Sequence, residues 1–194
     1  WKKALMILLY CTFFNLIGAL IAGWLFANSA AYAGLSKDSF ISGVVQMKLA
    51  RSNELILLEG VLANIFVNIA ILSFVLVKDS TAKLFLVISA IYMFVFLTNE
   101  HLAANFASFA IVKFSSAAAE VQNFGIGNIL RHWGVTFIGN LIGGGLLIGL
   151  PYAWFNKKEE SNYVDWQKRI FESFFDVSLQ SSLLEANQIA RGMR

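Results

Sequence analysis

Glu100 and His101 stand side by side in the stretch Thr98–Phe106, inside one of the most apolar regions of the sequence. An ionisable side chain at the centre of a bilayer costs roughly 2.5–3.5 kcal/mol or more, so its presence there is a functional signal. An imidazole titrates ordinarily near about pH 6.5; it can therefore hand a proton to an arriving anion and take it back on release. The other use of His101 is structural, its two nitrogens tying an interrupted helix together. Glu100 lies about 100° around a helix from His101 and points to helix termini or a neighbour, an architectural role. Asn64, Asn105 and Asn140 are neutral donors that suit an anion without a trapped charge, but Asn also joins membrane helices by ordinary hydrogen bonds, the plainer reading for Asn105. Lys48, just before the second apolar run, would raise positive potential at a pore mouth; by itself it reads as a solvated loop lysine. Glu54 and Glu59 flank the start of that run in capping or interfacial positions, and Arg131 and His132 precede the last run as interfacial residues. Cys11 is the single cysteine, which rules out an intrachain disulfide and gives thiol metal ligation no spacing to rest on.

The elements that carry these residues follow from composition. Hydrophobic residues make up 58% of the sequence and charged residues 14%, with a mean hydropathy of +0.66, whereas soluble domains carry about 25% charged residues. This is the composition of an integral membrane protein. No charge falls between Ala4 and Ser36, Gly60 and Val77, Leu84 and Asn99, or Trp133 and Asn156. A membrane helix needs about 20 apolar residues, so the sequence predicts four spans: Ala4–Ala27, about Leu55 to Val77, one starting at Leu84, and Trp133–Phe155. The third meets the polar patch Thr98–Asn105 before resuming, which predicts a broken helix, since irregular backbone at membrane depth is tolerated where protein or a wet cavity surrounds it. A Ser/Ala/Gly-rich connection is expected from Asn28 to about Met47. Gly139, Gly143, Gly144, Gly145 and Gly149 strip bulk from the last span and let neighbouring helices approach.

Two segments echo each other. Asn15–Gly18 and Asn140–Gly143 both read Asn-Leu-Ile-Gly, and Thr-Phe precedes each by three or four residues. The first and fourth spans therefore look like mates in an inverted repeat, an architecture whose binding sites lie near the midplane beside broken helices. The second and third spans would then need mates before Trp1, which implies a truncated six-helix protein; a first residue other than Met points the same way, and the opening run is too long and lacks the cleavage pattern for a signal peptide. Lys2, Lys3, Lys78, Lys83, Lys157 and Lys158 fall on one side of the predicted membrane and Lys37, Lys48, Arg51 and Lys113 on the other, which leans towards a cytoplasmic C-terminus. The formal charge of +3 is small and spread out, and no nucleic-acid partner is expected. Residues 157–194 form a second, cytoplasmic segment after a pore domain of residues 1–156: Tyr163, Trp166, Ile170, Phe174 and Val177 recur at helical spacing behind a possible Asn162 cap, which predicts an amphipathic helix.

These motifs resemble those of the formate/nitrite transporter family over most of the chain from Trp1 to Phe155. Glu100–Phe106, "EHLAANF", is similar to the family's Glu-His-x-x-Ala-Asn signature at the interruption of its fifth helix. Gly60–Ile65 is similar to its fourth-helix motif, Ile138–Leu150 to the sixth-helix motif, and Phe13–Gly23 to the third helix. Lys48 sits at the spacing of the family's vestibule lysine. The resemblance implies an all-α, aquaporin-like inverted-repeat bundle with four of six transmembrane helices present, assembled as a homopentamer with one pore per protomer in a prokaryotic-type cytoplasmic membrane. It implies passage of small monovalent anions such as formate, nitrite, hydrosulfide, acetate or lactate, often with a proton and without a cofactor or metal. His101 becomes the central histidine, Lys48 the attracting cation, Asn64 and Asn140 pore-lining amides, and Phe94 an aromatic of the outer constriction, with Glu100 and Asn105 in support. The chain departs from the family where Gly-Phe usually precedes Glu-His: Thr98 and Asn99 stand there and add polar groups beside the site.

Two other classes remain open to the sequence. A neutral-solute channel of aquaporin type also uses two repeats but carries paired Asn-Pro-Ala motifs, while this chain has a single proline, Pro151. An intramembrane haem protein or enzyme would have to use His101 with His132, and the chain offers neither a second histidine in mid-span nor the spacing of a nucleophile or metal cluster.

Overall fold

Long uninterrupted apolar runs become long helices, and the polar interruptions break them. The computed structural model describes residues 2–30, 32 and 34–156. Helix α1 is Lys2–Ala27, α2 Phe40–Ala50, α3 Asn53–Leu76, α4 Ser80–Phe96, α5 Leu102–Phe114 and α6 Ile126–Asn140. A 3₁₀ turn, Ser116–Ala119, follows α5; after α6 come a π-helical stretch, Leu141–Gly149, and a short α7, Leu150–Phe155. No strand occurs among the described residues. Among the described residues three helical runs are long and apolar enough to cross a membrane: Lys2–Ala27, Asn53–Leu76 and Ile126–Phe155. The remaining expected span is divided between α4 and α5, of 17 and 13 residues, with Leu97–His101 between them.

Two differences from the sequence reading matter for the site. The connection after α1 contains the 11-residue α2, whose Val45, Lys48 and Leu49 are buried. Its Val45 and Leu49 join Phe109, Val112 and Ile129 in an apolar cluster that also takes in Leu35 and Val121. The last helix begins at Ile126 rather than Trp133, so Arg131 and His132 lie more than a turn inside it. The chain also divides into two compact units, 1–149 and 150–194; of the second only 150–156 is described, and the amphipathic helix expected in 157–194 lies outside the described residues.

Within the first unit α1 packs on α5, and α3 packs on α4, α6 and the π-helical stretch. Small residues set these approaches. A Cβ added at Gly139 would meet the Leu57 carbonyl oxygen at 2.6 Å and Gly60 Cα at 3.0 Å, so α3 and α6 touch backbone to backbone. The outward face of α1 leaves Leu5, Phe14, Ile21 and Trp24 exposed, as suits a surface in contact with hydrocarbon or further helices.

The break between α4 and α5 is a Schellman ending. Thr98 N–H donates to the Val95 carbonyl at 3.0 Å and Asn99 N–H to the Phe94 carbonyl at 3.3 Å, while Thr98 adopts φ +52°. That left-handed position usually falls to glycine. In a β-branched residue it costs about 1–2 kcal/mol, and Arg51 holds it: one guanidinium nitrogen donates to the Thr98 carbonyl at 3.2 Å and another to Thr98 Oγ1 at 3.0 Å.

Candidate functional site

The interruption sends consecutive side chains into different surroundings. Glu100 is fully buried. Its Oε2 accepts from Lys48 Nζ at 2.7 Å and from Asn105 Nδ2 at 2.8 Å, and its Oε1 accepts from Arg51, which also pairs with Glu59. Two carboxylates and two cations thus balance in a dry region, where charges persist only when paired and hydrogen-bonded. Lys48 is 5% exposed; besides Glu100 it donates to the carbonyls of Thr98 at 3.3 Å and Asn99 at 3.4 Å, which occupies all three of its protons. Arg131 fixes the end of α2 by donating to the Leu49 carbonyl at 3.0 Å and to Asn53 Oδ1 at 2.6 Å. His132, expected at the interface, is instead fully buried, with Nε2 3.3 Å from Glu100 Oε2. The early start of α6 carries it there. Lys48 and Arg51 therefore do not count as loop cations, and the charge asymmetry used to orient the chain rests on the other lysines.

His101 faces the other way. It caps α5: its Nδ1 accepts from Ala104 N–H at a long 3.5 Å. In the neutral ring the proton then sits on Nε2. The ring of Phe94 meets it edge to face at a centroid distance of 5.6 Å. His101 lines a cavity of about 340 Å³ together with Asn64, Asn140, Thr12, Asn15 and Cys11, with apolar side chains that include Phe106 and Phe137.

Asn140 is the main joint between the two regions. Its Nδ2 donates to the carbonyls of Gly60 at 2.9 Å and Glu100 at 2.7 Å, and its Oδ1 accepts from Leu102 N–H at 3.0 Å. Both amide protons are thereby engaged with backbone of α3 and of the interruption. Asn64 Nδ2 donates to the Asn140 carbonyl at 2.9 Å, at the point where α6 gives way to the π-helical stretch. Such π segments are frequent at functional sites. The glycines of that stretch leave room for the amides: a Cβ on Gly144 would come within 2.9 Å of Asn68 Nδ2 and 3.3 Å of Asn64 Cγ.

Of the residues singled out from sequence, His101, Asn64 and Asn140 line the cavity. Lys48, Glu100, Asn105, Thr98 and Asn99 gather in the buried network behind it, and Phe94 adjoins through the His101 ring. The sequence reading did not single out Arg51 or His132 as partners of Glu100, or Thr12 and Cys11 as cavity residues. The repeated Thr-Phe and Asn-Leu-Ile-Gly segments were the signal for the cavity wall: Thr12 and Asn15 of α1 face the same space as Phe137 and Asn140 of α6.

The described residues thus form a set of apolar helices, one of them interrupted beside a small, partly polar cavity. Residues 1–154 match the family described as Formate/nitrite transporter, and the chain belongs to that family. It is 31% identical over 100 residues to a formate-nitrite transporter of Plasmodium falciparum (isolate 3D7), a match covering 52% of this chain and 31% of that protein. It is 24% identical over 124 residues to a formate-nitrite transporter of Plasmodium vivax, covering 64% of this chain and 38% of that one. The chain thus spans about a third of the length of these curated relatives. Among solved structures, an FNT family ion channel matches with a TM-score of 0.64 at 21% identity, over 72% of this chain and 54% of its own, a likeness of fold.

Proposed function

We propose that this chain forms part of a pore that carries small monovalent weak-acid anions of the formate and nitrite class across a membrane, together with a proton. The observation that carries the reading is the cavity at the helix interruption: His101, Asn64, Thr12 and Asn15 line it, while every described carboxylate near the interruption is held in the paired network outside it. The Thr12 hydroxyl proton is spent on the Leu8 carbonyl at 2.8 Å, so the donors are the His101 ring and the amides of Asn64 and Asn15; with no free carboxylate, the space suits a small anion. The balanced cluster behind it keeps Lys48 close without leaving a bare cation in the path.

The His101 geometry supports a division of labour in proton coupling. With Nδ1 accepting from Ala104 N–H, the ring enters as a neutral donor, and its Nε2–H hydrogen-bonds the anion. A proton arriving through water then converts the anion to the neutral acid, which crosses the apolar constriction more cheaply than the dehydrated ion. On the far side the acid releases the proton. An imidazolium that donated its own proton would first have to give up the helix cap at Nδ1. Asn64 supports the donor wall, Asn140 fixes the interruption, Phe94 packs on His101, and Glu100 and Asn105 hold Lys48. We further propose assembly as a homopentamer and residence in a cytoplasmic membrane with the C-terminus on the cytoplasmic side, where Lys2, Lys3, Lys78 and Lys83 would lie.

Uptake of labelled formate, nitrite, acetate and lactate into proteoliposomes of the complete protein, with and without an inward proton gradient, tests this directly. Gradient-stimulated uptake of at least one anion is expected; water or glycerol flux without anion uptake would favour the neutral-solute alternative.

A further inference from the structure

Among the described residues His132 is the one strongly buried titratable group that the transport reading leaves without a task. It is fully buried and its ring packs against Phe109 at a centroid distance of 5.3 Å, yet neither ring nitrogen completes a hydrogen bond. Buried polar groups are nearly always satisfied, so an orphaned imidazole calls for an account. Its Nε2 faces Glu100 Oε2 at 3.3 Å, where Lys48 and Asn105 already donate at 2.7 and 2.8 Å. A carboxylate offers about two lone-pair sites per oxygen. Oε2 is therefore full, and His132 stands next in line.

The state of Lys48 makes that place meaningful. With its three protons on Glu100 and two backbone carbonyls, it takes an anion only by giving up one of these bonds, and turning fully towards one means letting go of Glu100. Letting go alone would leave a buried carboxylate short of its closest cation, the expensive case for an ion pair. We propose that His132 is a positioning residue for the anion pathway: its Nε2–H takes the place of Lys48 on Glu100 Oε2 when Lys48 turns to the anion. At 3.3 Å the pair is already within reach, so the exchange needs a turn of the ring that aims Nε2–H at Oε2. Helix α6 is suited to the exchange, because Asn140 on the same helix already grips the Glu100 carbonyl at 2.7 Å and keeps the main chain still. This inference rests on the proposed role of Lys48 in anion transport.

The test compares KM and maximal rate for formate uptake in proteoliposomes of the complete protein, normalised to inserted protein, for wild type, His132→Phe, His132→Leu, His132→Gln and Lys48→Met. A hydrogen bond to a charged group is worth about tenfold or more in an equilibrium, so KM is expected to rise about tenfold in both apolar variants with little change in maximal rate. The Gln variant, which keeps a donor, should stay within about threefold of wild type. In a Lys48→Met background His132→Phe should raise KM no further. The two apolar variants differ in bulk, so failure of one to insert leaves the other. An active wild type whose KM is unmoved by either apolar variant overturns the role of His132, as does a Gln variant as impaired as they are. A wild type that carries no formate or nitrite overturns the anion reading and this inference together.

Discussion

On one side of the interruption lies a cavity walled by neutral groups, His101, Asn64, Thr12 and Asn15; on the other lies a closed cluster of charges, Lys48, Arg51, Glu59 and Glu100, with His132 against it. The two regions are one residue apart in sequence at Glu100 and His101. The difference shows how a membrane protein places strong charge beside a cavity without placing it in the cavity. Charges that compensate each other set the backbone and the local potential, and neutral groups line the space.

The largest effect should come from breaking the closed side. Glu100→Ala leaves Lys48 and Arg51 short of their shared partner and is expected to cost about 3–5 kcal/mol, read as loss of folded protein after detergent extraction. If Glu100→Ala is as stable as wild type, the cluster is not what holds the interruption. Breaking the open side should cost less stability, limited to the long cap bond from Ala104 N–H, and remove transport. His101→Ala loses the donor to the anion, worth about 1.5–3 kcal/mol, so anion uptake should fall by roughly 10- to 100-fold; unchanged uptake would remove His101 from the pathway. The seam between α3 and α6 joins the two sides, and Gly139→Ala sets a methyl against the Leu57 carbonyl. Overpacking of this kind costs about 1–3 kcal/mol and should lower thermal stability and uptake together. The smallest effect belongs to the left-handed Thr98. Thr98→Val keeps the strain and loses the Arg51 contact, costing about 1 kcal/mol, whereas Thr98→Gly loses the contact but relieves about 1–2 kcal/mol of strain and should be near neutral. A Gly variant less stable than the Val variant in a thermal melt would show that φ at this position carries no strain.

Much of this was legible in the residues. Charge-free runs marked the long helices, and the Thr98–Asn105 patch marked the break, because both depend on local composition. The Asn-Leu-Ile-Gly echo pointed to two matched walls, and Asn15 and Asn140 do meet at one cavity. Helix α2 was missed since its 11 residues sit in a Ser/Ala/Gly-rich connection and are stabilised by packing of Val45 and Leu49 rather than by local preference. Lys48 read as a solvated loop lysine because its partner Glu100 is 52 residues away.

The sequence by itself determined the solvent of this protein, the family to which it belongs, the number and place of its apolar runs and the site of the broken helix, since each is a matter of residue type over a short window. Only the tertiary structure decided which groups are charged partners and which face the cavity. That choice turns on contacts between distant segments: Asn140 donating to Gly60 and Glu100, Arg51 gripping Thr98, His132 reaching Glu100. The physical reason is that a buried charge is fixed by the groups that surround it in space, and chain order does not specify them.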